Sequence, residues 1–220
     1  MLRMKKIAAV LLLLVSGIAC GQHKINIVLK KQLDSVMIKD QLYRDTLSLL
    51  MDPLKSDSVA KTLSLTKQQA NGHYWALQRH LDSLNLVFVE DVIKKHGYPG
   101  KTVVDTPANE AAWYIIQHSS KIHQYIDVIK KAAENKELSF RLYAMMLDRD
   151  LMNQGKEQVY GSQVTCRIIK RGKNECFVWP IADAAKVNER RKKAGFNSTV
   201  EENAQRLDVK YRVVKMDEIK

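Results

Sequence analysis

The chain has 220 residues, a formal net charge of +12, and 45% hydrophobic but only 7% aromatic residues. That hydrophobic share excludes a disordered chain, and the length suits one domain with a buried core rather than several. The basic balance by itself would suggest nucleic acid, but the start of the chain argues against that partner.

Residues 1–20, MLRMKKIAAVLLLLVSGIAC, set Arg3, Lys5 and Lys6 ahead of an apolar run from Ile7 to Val15 and then small residues, the layout of a bacterial export signal. The run is too short for a permanent membrane span. Gly17-Ile18-Ala19-Cys20 is similar to a lipoprotein signal, in which Cys20 becomes the lipid-carrying first residue. Gly17 stands where Leu is usual, so plain cleavage near Gly21 is the alternative. By either route the mature chain, residues 22–220, is expected to be a single helical domain working outside the cytoplasm, periplasmic or anchored at the outer membrane. Nucleic acid is then not an expected partner. Residues 165–195 hold nine Lys or Arg against three Asp or Glu, which reads as a solvated basic face or as one that meets anionic lipid head groups.

From Ile25 to Met51, Leu33, Val36, Met37, Tyr43, Leu47 and Leu50 recur at helical spacing and predict one long helix ended by Pro53. Residues 54–71 predict a loop or short helix, with Asp57, Ser58 and Thr66 as cap candidates. His73 to His96 predicts a second long helix closed by Gly97 and Pro99. GYPGKTVVD, residues 97–105, reads as a turn. Thr106 as N-cap with Pro107 in the first helical position starts a third helix, apolar on nearly every side, that runs to His118. Ile122 to Ala133 predicts a fourth, and Ser139 caps a fifth that Gly155 terminates. The period then changes: Val164 to Ile169 and Cys176 to Ile181 predict a hairpin. Asp183 to Ala194 and Thr199 to Leu207 predict two more helices split by Gly195, with a frayed basic tail. The expected fold is mainly α, about six or seven helices with one small β-hairpin near residues 162–181.

With Cys20 lipidated or removed, Cys166 and Cys176 form an even pair in an oxidising compartment. A hairpin that sets them opposite each other brings them within bridging distance, whereas a slip of one residue points them to opposite faces.

Several polar residues fall on the apolar stripes. Asp40 and Arg44 lie three and four residues from Val36, Met37 and Leu47; Asn85 precedes Phe88 and Val89; His118 follows Ile115; and Asp148 falls between Ala144 and Leu151, with Arg149 at the edge. An unpaired buried polar group costs about 1–3 kcal/mol, so these groups are expected to pair. Their signs suit one cluster, with Gln117, Gln158, Tyr160 and Gln163 completing it. Whether such a cluster is a ligand site or a strut for the fold stays open at this stage.

For chemistry, His118 is the natural proton carrier, with an unperturbed pKa of about 6.5 for its residue type. Asp148 would orient it and Arg149 or Arg44 would grip an anionic oxygen. Tyr160 is a further acid or base. Ser119, Ser120 and Ser162 lie near these residues, but none stands in a G-x-S-x-G elbow. His118 and His123, and His73 and His80, are not at ligand spacing for a helix, and H-E-x-x-H is absent, so no metal and no cofactor are expected.

These residues also form an ordered set. It runs D-Q-x-x-R (Asp40, Gln41, Arg44), then Asn85 and a helix into G-x-P (Gly97, Pro99), then A-W-x-I-I-Q-H (Ala112 to His118). It continues with Leu147-Asp148-Arg149, G-x-x-Q-x-Y-G-x-Q (Gly155, Gln158, Tyr160, Gly161, Gln163) and P-I-x-D-x-x-x-V-x-x-R-R (Pro180, Ile181, Asp183, Val187, Arg190, Arg191). Over roughly residues 30–205 the chain resembles an uncharacterised bacterial family, domain of unknown function 6624. It departs from that pattern where Leu147 and Asp148 adjoin without a spacer and where Ser162 stands in place of Thr. The resemblance implies one domain and carries no activity.

Three readings follow. The first is an exported protein that binds a polar or anionic ligand at the His118, Asp148, Arg149 and Gln163 cluster. The second is a hydrolase or lyase with His118 as general base, Asp148 as its orienter and Arg149 as clamp. The third is a structural or interaction module docking through Lys186, Arg190, Arg191, Lys192 and Lys193.

Overall fold

A computed structural model describes residues 24–170, 172 and 174–219. The export signal and Cys20 lie outside the described residues. The protein is mainly helical with one small two-stranded antiparallel hairpin.

Helix α1 (Ile27–Gln41) starts at Asn26, whose side chain accepts from the Leu29 amide, and buries Leu29, Leu33, Val36 and Asp40 along one stripe. The expected single helix to Met51 breaks at Leu42 and Tyr43, and α2 (Arg44–Met51) follows. The break lets Leu50 join Ala60 and Ala70 in a satellite core, separate from the one that α1 serves through Leu29 and Leu33. Residues 54–71 contain a short helix, α3 (Ser56–Thr62).

Helix α4 (Lys67–His96) begins six residues earlier than hydrophobic spacing predicts. Thr66 and Gln69 form a reciprocal capping box there, satisfying amides that would otherwise fray. Gly97, at φ +72°, closes the helix.

The segment read as a turn holds one helical turn, α5 (Lys101–Val104), which places Val104 in the core. Thr106 is not an N-cap. The Thr106–Pro107 bond is cis, and a 3-10 turn at Ala108–Glu110 intervenes before α6 (Ala111–Gln117). Helix α6 buries Ala111, Ala112, Trp113, Ile115 and Ile116, the central helix its all-round apolar pattern predicts. Against it pack α7 (Ile122–Glu134) and α8 (Phe140–Asn153), and Trp113 donates its indole N–H to the Leu142 carbonyl at 2.8 Å.

Gly155 ends the α8 turn at φ +68°, and the chain returns through residues 156–163 to β1 (Val164–Ile168) and β2 (Asn174–Val178). Cys166 faces Cys176 in the register, and the two are joined as a disulfide. α9 (Val187–Lys193) and α10 (Val200–Arg206) complete the helices, the latter with a Thr199–Glu202 capping box. The tail after α10 is tied down rather than frayed. Val209 and Val214 are buried, Ile219 pairs with Ile169, and Arg212 reaches Glu175 and Glu218 at 2.9 Å each.

Candidate functional site

Asp40 sits four residues after Val36 on the buried stripe of α1 and is only 1% exposed. Its Oδ1 accepts from His118 Nδ1 at 3.1 Å and from Arg44 Nη2 at 3.3 Å, and its Oδ2 accepts from Gln41 Nε2 at 2.6 Å. Arg44 Nη2 also donates to Asp82 Oδ1 at 2.7 Å. Gln78 ties the group together, donating to Asp82 Oδ1 at 2.7 Å and to the Asp40 carbonyl at 3.1 Å. The ends of α1 and α6, the start of α2 and the middle of α4 thus meet around one buried carboxylate. Burial alone pushes Asp40 up, but the hydrogen bond and charge of His118, then those of Arg44, outweigh it and hold Asp40 below its ordinary value.

The sign of that shift makes a prediction. A depressed folded-state pKa contributes stability that is fully present above the unfolded value of 3.8 and is lost as pH falls through the lower folded value. The stability gap between the unmodified protein and Asp40→Asn should therefore shrink on acidification below about pH 5, as read by urea unfolding at a series of pH values. A gap that widens in acid would contradict the assignment.

Since an ionised carboxylate only accepts, His118 carries its neutral-form proton on Nδ1 and leaves Nε2 as a lone-pair acceptor. Among the described residues Nε2 has no partner, and the side chain is 20% exposed. A cavity of about 310 Å³ opens beside Asp40, lined also by Met37, Gln41 and Tyr114. Tyr114 stands four residues before His118, on the same face of α6.

Asp148 is not the partner of His118. It is completely buried on α8, and its carboxylate receives the returning chain: Oδ1 accepts from the Val159 and Tyr160 amides at 2.8 and 2.9 Å, and Oδ2 from the Ser162 amide at 2.9 Å. Burial pushes its pKa up, against the pull of these three amides and the Ser162 hydroxyl. Gln158, also fully buried, works in the same loop. Its Oε1 accepts from the Gln163 amide at 2.9 Å, and its Nε2 donates to the carbonyls of Gln163 at 3.0 Å and Trp179 at 2.7 Å. Both side chains hold the returning backbone in place beside the bridge that Gln158 forms with Ile181.

The expected single cluster is therefore two networks, and Arg149 joins them. Its Nε donates to Gln163 Oε1 at 3.2 Å, and its Nη1 donates to the Gln117 carbonyl, the residue before His118, at 3.2 Å. Gln117 takes part through its backbone alone. Burial lowers the pKa of Arg149, and no carboxylate among the described residues pairs with it. Tyr160 stacks on Phe196 at 6.0 Å between ring centres, and its carbonyl accepts from Arg191 Nη1 at 2.9 Å.

Two residues of the expected basic docking surface are internal struts. Arg191 is 1% exposed and also donates to the Ser198 carbonyl and hydroxyl. Arg190 donates to the carbonyls of Val159, Ala182 and Asp183. Of that segment Lys186, Lys192 and Lys193 remain exposed.

Asn85 belongs to neither network; it lines a separate groove between α1 and α4. Sequence reasoning missed Gln78, Asp82 and Tyr114. Gln78 could have been found, since it lies seven residues before Asn85 and so on the same face of α4. Among the described residues no three His, Cys, Asp or Glu side chains are grouped to hold a metal ion. Comparisons with family models, with curated proteins and with solved structures give no match to this chain.

Proposed function

We propose that this is an exported envelope protein that binds a small polar ligand with an anionic group at the end of α6, between His118 and Arg149. The observation that carries the reading is the Arg149 guanidinium, partly buried yet, among the described residues, hydrogen-bonded only to neutral oxygens. A desolvated cation without a counter-charge is costly to the fold, and an anion completes it. Arg44 is unsuited to that role because Asp40 and Asp82 already share it. His118 Nε2 supplies an acceptor for a ligand N–H or O–H. Export is supported by the signal-like first twenty residues together with the Cys166–Cys176 disulfide, a bond that persists in oxidising compartments. The residues behind the family resemblance, from Asp40 and His118 to Asp148 and Gln163, are largely those of the two networks, which supports the resemblance without naming an activity.

The test is thermal unfolding against a panel of small carboxylates and phosphates. A ligand present at 100 times its Kd should add about 2.7 kcal/mol of stability. Arg149→Met should keep the fold and lose that gain. A panel that stabilises the unmodified protein and Arg149→Met equally would reject the site.

A second reading, acid–base catalysis, is favoured by the Asp40–His118 pair, in which a buried carboxylate fixes the imidazole and leaves Nε2 free to take a proton. It keeps the expected base and replaces the expected orienter, Asp148, with Asp40.

A further inference from the structure

The Cys166–Cys176 bond lies outside both networks. The two cysteines face each other across β1 and β2, and both are exposed. Side chains alternate along a strand, so the same face carries the pairs Val164 with Val178 and Ile168 with Asn174. Val178 is buried in the core shared with α9 and α10, whereas Ile168 is 54% exposed and Asn174 is open to solvent. The cystine therefore sits where the hairpin leaves the core, on an uncharged face, beside an apolar side chain left to water. The charged residues Arg167 and Glu175 are on the other face, Arg167 over the Trp179 ring at 5.0 Å and Glu175 paired with Arg212. That face also fixes the hairpin to the protein, because Phe177 packs with Ile169, Trp179 and Val214. Neither strand edge is covered: among the described residues, the backbone of 164–168 and 174–178 bonds to no backbone but that of its partner strand.

Exposed disulfides are the labile ones, open to attack by an incoming thiolate. Here the packing of Phe177 anchors the hairpin from the opposite face, so the bond can open without the strands parting. Bare edges suit a partner that docks by adding a strand, and Ile168 gives it an apolar seat next to the sulfurs. We propose that Cys166 and Cys176 form a site of reversible dithiol–disulfide exchange, whose partner is a thioredoxin-like dithiol protein. One partner thiolate attacks a cystine Sγ; a disulfide forms between the two proteins, and the other cysteine leaves as a thiolate and takes a proton. The partner's second thiol, deprotonated, then displaces the remaining cysteine. Two electrons pass in all: the partner's dithiol becomes a disulfide, this chain's cystine becomes a dithiol, and the reverse sequence restores the bond. The proposal is independent of the His118 and Arg149 site.

The experiment treats the folded, oxidised protein with reduced thioredoxin in the absence of denaturant, alkylates free thiols with iodoacetamide and weighs the product. The expected result is a gain of two alkyl groups, one on each half of the cystine, with unfolding of the reduced protein still cooperative. A thioredoxin lacking its second, resolving cysteine should be trapped as a one-to-one mixed disulfide. Ile168→Ser changes an exposed position. It should slow reduction by thioredoxin about fivefold or more and leave reduction by dithiothreitol, which needs no docking surface, unchanged. Thiols that appear only at urea concentrations that unfold the protein, a reduced protein without cooperative unfolding, absence of the trapped complex, or thioredoxin acting equally fast on Ile168→Ser would each overturn the proposal.

Discussion

Asp148→Ala should lower the unfolding free energy by about 3–5 kcal/mol. The carboxylate is the acceptor for three amides, those of Val159, Tyr160 and Ser162, and it is wholly buried. Truncation leaves the three donors facing a void. The damage should spread, because this loop also presents the Val159 and Tyr160 carbonyls to Arg190 and Arg191. Asp148→Asn separates charge from geometry. Its one oxygen can still serve Val159 and Tyr160, but its NH2 then opposes the Ser162 N–H, so a loss of about 1–3 kcal/mol is expected although the raised pKa shows that the charge itself is penalised. Urea unfolding with an unchanged m-value is the readout. An Asn variant as stable as the unmodified protein would mean that Ser162 does not depend on Oδ2.

Asp40 and Asp148 are the site residues that the sequence marks most clearly. Both fall on apolar stripes, so their burial and their need for partners were visible from spacing alone. Which partners they take was not. His118 could have met either carboxylate, and the choice is made by where α6 ends relative to α1, a tertiary relation that a single sequence does not encode locally. The same holds for Asp148, whose partners are backbone amides with no side-chain signature. Element boundaries failed where local chemistry overrode hydrophobic period: the Thr66–Gln69 box lengthened α4, and the break at Leu42–Tyr43 split a helix whose apolar residues serve two different cores. Arg190 and Arg191 illustrate the reverse error, in which a run of charge looked like surface because composition cannot show that its guanidinium groups are spent on carbonyls. The hairpin was legible from its strand period, whereas the register that sets Cys166 opposite Cys176 was one of two alternatives that the sequence left open.

Gly161→Ala is the other substitution expected to be severe, at about 2–4 kcal/mol, and two causes contribute. Gly161 has φ +66°, a conformation that an L side chain adopts at a cost of about 1–2 kcal/mol. An added Cβ would also lie 2.7 Å from Val200 Cγ2 and 2.8 Å from Ile181 Cδ1, inside the core shared by β2, α9 and α10. The glycine lets the loop that Asp148 holds press directly on that core, where the Gly161 carbonyl also accepts from Asn203. The two causes can be divided with Val200→Ala. That change alone should cost about 0.5–3 kcal/mol as a core truncation, yet in the Gly161→Ala background it removes one of the two methyl clashes. The double variant should therefore be more stable than the sum of the single losses by about 0.5–2 kcal/mol, measured by denaturant unfolding of all four proteins. Strict additivity would mean that the Val200 methyl contributes nothing, leaving the backbone angle and the Ile181 contact as the cause.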